Sequence, residues 1–292
     1  MTELLGRDRM RKTAKLVLVM LSLALFVPLA QGNYETKPLI ISKFKALVSA
    51  HLSQASYVTI GKSPRGVDIL MFRFGNSSSK AIVLWDAQMH GTEDAGAETA
   101  FLFCQWLFSG DTRARYVLSH NWILIIPCLN DLYERTNEDH VNLNRNFPVG
   151  WGTFGSPDNT SDDYWGPSPA SEPETAAMIR VFRNYMPKFY VNTHMYGGSI
   201  IYYHWKIPSS VIETWTSTLA TFSLYYGGNP LKYNSVIKTD GGGFAVTTAM
   251  ETYGVYSFLW EIGGDRPTYS EIQGSYYRQT RCFLLALCAM CA

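Results

Sequence analysis

Three runs in this chain leave little choice of architecture. "KAIVLWDAQM", "NWILIIPCL" and "KFYVNTH" are apolar almost without interruption and short. A strand with one wet face alternates apolar and polar residues, whereas a strand that is apolar at nearly every position is buried on both faces. Helical spacing follows each run. "GAETAFLFCQWLFSG" closes on a glycine, and "SEPETAAMIRVFRNYM" has Ser171 followed three residues later by Glu174, which predicts a capping-box start. "PLIISKFKALVSAHL", "VIETWTSTLATFSLYYG" and "YYRQTRCFLLALCAM" also read as helices; "YVTIG", "DILMFRFG", "SIIYYHW" and "GVYSFLWEI" read as strands. Strands and helices in alternation predict an α/β fold: a single domain with a mixed, mostly parallel central sheet and helices on both faces.

The N-terminus stands apart. Basic "RDRMRKTAK" precedes the apolar "LVLVMLSLALFVPLA" and the small-residue "QGN". A spanning helix needs about 20 apolar residues, so residues 1–32 are expected to be a signal peptide, with an uncleaved membrane anchor as the alternative. Residues 33–292 are then expected to form one secreted or extracytoplasmic domain, with only a short stretch before Tyr57. A net charge of +1 gives no electrostatic reason to expect nucleic acid or an anionic membrane as partner. The five cysteines (Cys104, Cys128, Cys282, Cys288, Cys291) sit mostly in apolar surroundings and are expected to be buried free thiols.

In open α/β sheets, sites form at the carboxyl ends of strands, and here those ends carry polar residues that a core would not select. "DAQMHGTEDAGAE" places His90 and Glu93 three apart after a buried strand. His194 ends another strand, and Glu261 lies between apolar residues in "SFLWEI". Two histidines and one glutamate form a common catalytic zinc ligand set, although a single His-x-x-Glu arises readily by chance. An ionised carboxylate in an apolar strand is costly unless it is paired or functional, so Glu261 is a candidate general base. Arg135, Asn144 and Arg145 follow "ILIIPCL", in or just before a polar stretch (137–172) long enough to be functional rather than a plain connection.

Taken together, "YVTIGKSPRGVDILMFRFG", "MHGTE", "RTNEDHVNLNRNFP", "YWGPSPASEPET", "NTHMYGGSIIYY" and "YSFLWEIG" resemble, in order, segments of the zinc metallocarboxypeptidase family, especially its bacterial and archaeal-type members. They are also similar to cell-wall peptide amidases of that family. The resemblance spans nearly all of the chain after the signal. It implies one zinc ion per chain held by His90, Glu93 and His194, with Glu261 as base toward the metal-activated water. Arg135 would polarise the scissile carbonyl, and Asn144 with Arg145 would hold the free C-terminal carboxylate of a peptide substrate.

The chain also departs from that pattern. Asn142 stands where the family usually has an aspartate that accepts a hydrogen bond from a zinc-binding histidine, and an amide supports ligand basicity less than a carboxylate does. His140 replaces a usual glycine, and "NDLY" replaces the usual loop before Arg135. Tyr233 and Tyr253 are candidates for a substrate-capping tyrosine. No acidic residue occurs between Gly241 and Met250, and Val246 there suggests a pocket for an apolar or small side chain. The expected function is a secreted zinc exopeptidase. The alternatives are an amidase of the same fold, acting on cell-wall or other small peptides, and a non-catalytic binding protein that keeps the fold.

Overall fold

Every residue of β3 (Ile82–Asp86) and β5 (Phe189–His194) is buried, so neither strand has a wet face. The computed structural model describes residues 34–78, 81–195, 201–227, 236–239, 242–263 and 267–291. The expected signal (1–32) and Tyr233 lie outside them. In chain order the elements are α1 (Lys37–Ala50), β1 (Ala55–Lys62), β2 (Asp68–Gly75), β3, α2 (Ala95–Leu107), α3 (Thr112–His120), β4 (Trp122–Ile126), α4 (Pro173–Tyr185), β5, β6 (Ile201–His204), α5 (Ser209–Gly227), β7 (Val236–Thr239), α6 (Ala245–Tyr253), β8 (Tyr256–Glu261) and α7 (Tyr277–Cys291).

Among the described residues, eight strands form one sheet in the order β1-β2-β4-β3-β5-β8-β6-β7. Its centre, β4-β3-β5-β8, is parallel throughout, while β1, β2 and β6 make antiparallel pairings toward the edges. β1 and β2, joined by the short turn "KSPRG", pair antiparallel, whereas β3 and β4, with two helices between them, pair parallel.

Alternate residues of each central strand serve opposite faces. Val83, Trp85, Ile123, Ile125, Phe189 and Val191 join a core under α1, α2, α3, α5 and α7. Leu84, Leu124, Ile126 and Tyr190 join a second core under α4 and α6. The rings of Trp215, Phe258, Trp260 and Phe283 interlock in the first core at centroid distances of 5.0–5.9 Å. Truncating such a ring to alanine costs about 3–5 kcal/mol. No helix among the described residues is long and apolar enough to cross a membrane.

Local expectations differ from the structure in three places. No capping box starts α4. Glu172 is its N-cap without a side-chain bond, and Pro173 occupies the first helical position, where no N–H is needed. Ser171 donates instead to Glu172 Oε1 at 2.6 Å, and the Asn137 amide engages both Glu172 and Glu174. A helix not expected from the pattern, α3, is capped by Asp111, which accepts from Arg113 N at 2.8 Å, and His120 is its last residue. The segment "AVTTAMETY", read only as a specificity region, is helix α6 and ends on Gly254 at φ 70°. All five cysteines are free, as expected; Cys104, Cys282 and Cys288 are buried.

Candidate metal centre and active site

The chain turns from β3 toward β4 on one side of the sheet and places β5 on the other, which makes the β3–β5 boundary a topological switch point. His90 and Glu93 lie in the turn between β3 and α2, not in the first helical turn, and Glu93 N donates to His90 O at 3.1 Å. Two local features force that turn. Gln88 adopts φ 51°, an uncommon backbone for a non-glycine residue. At Gly91 a Cβ would collide with the Leu132 carbonyl and Lys37 Nζ, so only glycine lets the 130–132 loop pack behind His90. Lys37 Nζ donates to the carbonyls of Asn130 and Leu132 and pins that loop.

His90 Nδ1 lies 2.8 Å from Glu93 Oε1, His194 Nδ1 lies 2.8 Å from Glu93 Oε2, and the two Nδ1 atoms are 3.2 Å apart. These are the only three described residues whose His, Cys, Asp or Glu ligand atoms gather in this way, and all three are buried. The far side of each ring fixes which nitrogen holds the proton. Asn142 Oδ1 is 3.0 Å from His90 Nε2 and also accepts from Asn144 N at 3.0 Å. Asn192 Oδ1 is 2.7 Å from His194 Nε2, while Asn192 Nδ2 donates to Asp86 at 3.0 and 3.2 Å. Both amide oxygens only accept, so both rings carry a proton on Nε2 and turn the Nδ1 lone pair inward. Asn144 Nδ2 also approaches His194 Nε2, at 3.3 Å, but the shorter bond to Asn192 governs. Two lone pairs and a carboxylate thus converge with no donor between them unless one ring gains a second proton. A divalent, borderline-soft cation is the natural occupant of such a set, and the residues fit zinc.

The charges respond to that crowding. Burial would raise the Glu93 carboxyl, but the neighbouring His90 and His194 outweigh it and hold it well below its usual range. Burial lowers His90 despite Glu93; at His194 the pull of Glu93 overcomes burial and the pKa is raised. Glu261 ends β8 directly beside His194 in the ladder. Burial raises its carboxyl, opposed by His194 and Arg135.

His90, Glu93, Arg135, Asn144, Arg145, His194 and Glu261 all line one cavity of about 310 Å³. The structure therefore brings together the seven residues that the sequence assigns to metal, catalysis and carboxylate binding. The Arg145 guanidinium packs against both the Phe154 and Phe244 rings, at 4.8 and 5.1 Å from their centroids, and the two rings meet edge-on at 5.6 Å; Asn144 Oδ1 accepts from Ala245 N at 3.1 Å, which ties the clamp to α6. Met195, Tyr202, Val246 and Leu259 complete an apolar wall. Tyr253, a candidate cap, is not part of it; it packs against Phe182 at 6.1 Å in the second core. His140 is exposed, in left-handed backbone at φ 58°, which explains why glycine suits that position.

Sequence reasoning missed Asp163, Asn192, Phe154 and Phe244. Asp86, Asp94 and Glu98, whose places in the sequence suit either structural or surface roles, are structural: they are 0%, 1% and 4% exposed. The signal for Asn192 was present: it precedes His194 by two and so shares its face of the strand. Asp86 is its register partner across the β3–β5 ladder.

The zinc carboxypeptidase family profile matches residues 40–265. Human carboxypeptidase A6 is 27% identical over 185 residues, which is 53% of this chain and 41% of that protein. The chain thus spans about half or less of the length of the curated relatives it matches. Among solved structures, carboxypeptidase A from Helicoverpa armigera superposes with a TM-score of 0.70 at 19% identity, covering 88% of this chain and 74% of that one. The murein-tripeptide amidase of Escherichia coli O157 superposes at 0.55 and 18% identity, covering 79% and 92%. At these identities the structural likenesses establish the fold.

Proposed function

Because the chain belongs to the zinc carboxypeptidase family, we propose that it is a zinc metallopeptidase that removes the C-terminal residue of peptides bearing a free carboxylate. The observation that carries this reading is the single cavity in which the His90, Glu93 and His194 ligand set faces Glu261, Arg135 and Arg145. Zinc held by those three side chains would polarise the scissile carbonyl and make a water acidic. Glu261, held above the usual carboxylate range by burial, takes the proton of the attacking water and returns it to the leaving amine. Arg135 stabilises the oxyanion as charge develops there. Arg145, which lines the cavity, holds the terminal carboxylate with Asn144.

The pocket wall favours an apolar C-terminal side chain. Among the described residues its acidic members are Glu93 and Glu261, both already assigned to the metal and to proton transfer. The N-terminal pattern of basic, apolar and small residues supports secretion. The test is a matched pair of peptides, one with a free and one with an amidated C-terminus, incubated beside cell-wall muropeptides and scored by mass spectrometry. Loss of one residue from the free peptide alone is expected. Cleavage of muropeptides with both linear peptides untouched would instead establish the amidase reading.

A further inference from the structure

His90 is backed by an amide, and the amide is backed by a carboxylate. Asn142 cannot flip: its Oδ1 accepts from the backbone N–H of Asn144 at 3.0 Å, and its Nδ2 faces only acceptors, the Asp162 carbonyl at 3.0 Å and Asp163 Oδ1 at 3.1 Å. A continuous path of donors therefore runs from His90 Nε2–H through the Asn142 amide to the Asp163 carboxylate. Asp163 is held in place by its own loop. Its carbonyl accepts from Ser156 N at 2.9 Å, and its N–H donates to Ser161 Oγ at 3.2 Å. Burial would raise its carboxyl, but Arg145 and Arg135 outweigh burial and keep it ionised.

We propose that Asp163 supplies, through Asn142, the anionic support for His90 that residue 142 itself lacks. Asp163 is a positioning residue in this role, because it acts on the metal centre only through the amide. An N–H donated to a carboxylate polarises the amide and makes its oxygen a stronger acceptor. That strengthens the bond to Nε2–H, fixes the tautomer and raises the basicity of Nδ1 toward a metal. The same arrangement stands independently behind the second histidine, where His194 Nε2 meets Asn192 Oδ1 and Asn192 Nδ2 meets Asp86. Two ligands from different elements share one device, which makes the Asn142–Asp163 pair a working unit rather than a loop contact.

The inference rests on the zinc reading above. Asp163 Oδ1 also accepts from Arg135 at 3.2 Å and forms an ion pair with Arg145 at 3.1 Å, so turnover alone would confuse support of His90 with alignment of the arginines. Zinc affinity separates them. The full chain is titrated with zinc against a chromophoric chelator, as unaltered protein and as the variants Asp163→Asn, Asn142→Asp with Asp163→Asn, and Arg145→Ala. Asp163→Asn is expected to weaken zinc about tenfold or more, the usual scale for a partner behind a metal ligand. The double variant returns the charge to the side chain that touches His90 and is expected to recover affinity to within about threefold. Arg145→Ala removes a different bond to Asp163 and is expected to change zinc affinity by less than about twofold. Unaltered affinity in Asp163→Asn, a loss that the double variant does not recover, or an equal loss in Arg145→Ala overturns the proposal. If the unaltered chain takes up no zinc, the functional reading itself fails.

Discussion

His194 ends β5 and draws its support from the sheet: Asn192 lies two residues back on the same strand, and Asp86 lies across the ladder on β3. His90 sits in a turn and draws its support from a loop: Asn142 precedes a 3-10 turn, and Asp163 comes from the irregular stretch beyond it. The sheet-borne aspartate is fully buried, and that burial raises its carboxyl to about 6. The loop-borne one has a side chain 45% exposed and shares its oxygen with two arginines. Equivalent chemistry is thus built on one side into the rigid core and on the other into the substrate-facing surface. The sheet side is expected to govern whether the centre assembles, and the loop side how it meets substrate.

The largest effects should not distinguish the two sides. His90→Ala and His194→Ala each remove a ligand, so metal analysis is expected to fall from about one zinc per chain to none, with hydrolysis lost. A His90→Ala protein that kept its zinc would leave the loop side without a metal role. Next comes Glu261→Gln on the sheet side. It is expected to retain zinc while turnover falls about 10²–10⁴-fold, the usual contribution of a general base; retained turnover would remove Glu261 from proton transfer. On the loop side, Arg145→Ala is expected to raise KM for free-carboxyl peptides about 10–100-fold, the scale of a lost charge-assisted bond. An equal effect on amidated peptides would contradict the carboxylate clamp.

The smallest effect concerns pH. The Asp86 carboxyl titrates at about 6 in the folded chain against an ordinary 3.8, so the folded chain keeps a proton that the unfolded chain has released. Between those values stability falls as pH rises, by on the order of 2 kcal/mol for this group. Denaturant titrations of the metal-free protein at pH 4 and pH 7 are expected to show part of that slope disappear in Asp86→Asn. An unchanged slope would mean that Asp86 carries no such proton.

The same contrast governs what could be read from the sequence. Buried strands announce themselves because apolar residues at every position have few other uses, so β3, β4 and β5 were visible. His90, Glu93, His194 and Glu261 were visible as polar residues at the ends of those strands. Loop-borne parts leave no periodicity. Asp163 looked like one more polar residue in "TSDDYWG", and Phe154 like an isolated aromatic, because only the folded path brings them to Arg145. The Ser171 capping box failed for a related reason: the neighbouring Glu172 captured the serine hydroxyl, a competition that spacing alone does not register.

Metal removal and return tests the zinc chemistry most directly. The chain is stripped with a chelator, and zinc is added back in steps while release of the C-terminal residue from a free-carboxyl peptide is followed. Release should cease in the stripped protein and recover linearly, reaching its plateau at one zinc per chain. Undiminished release from metal-free protein would contradict zinc-dependent hydrolysis.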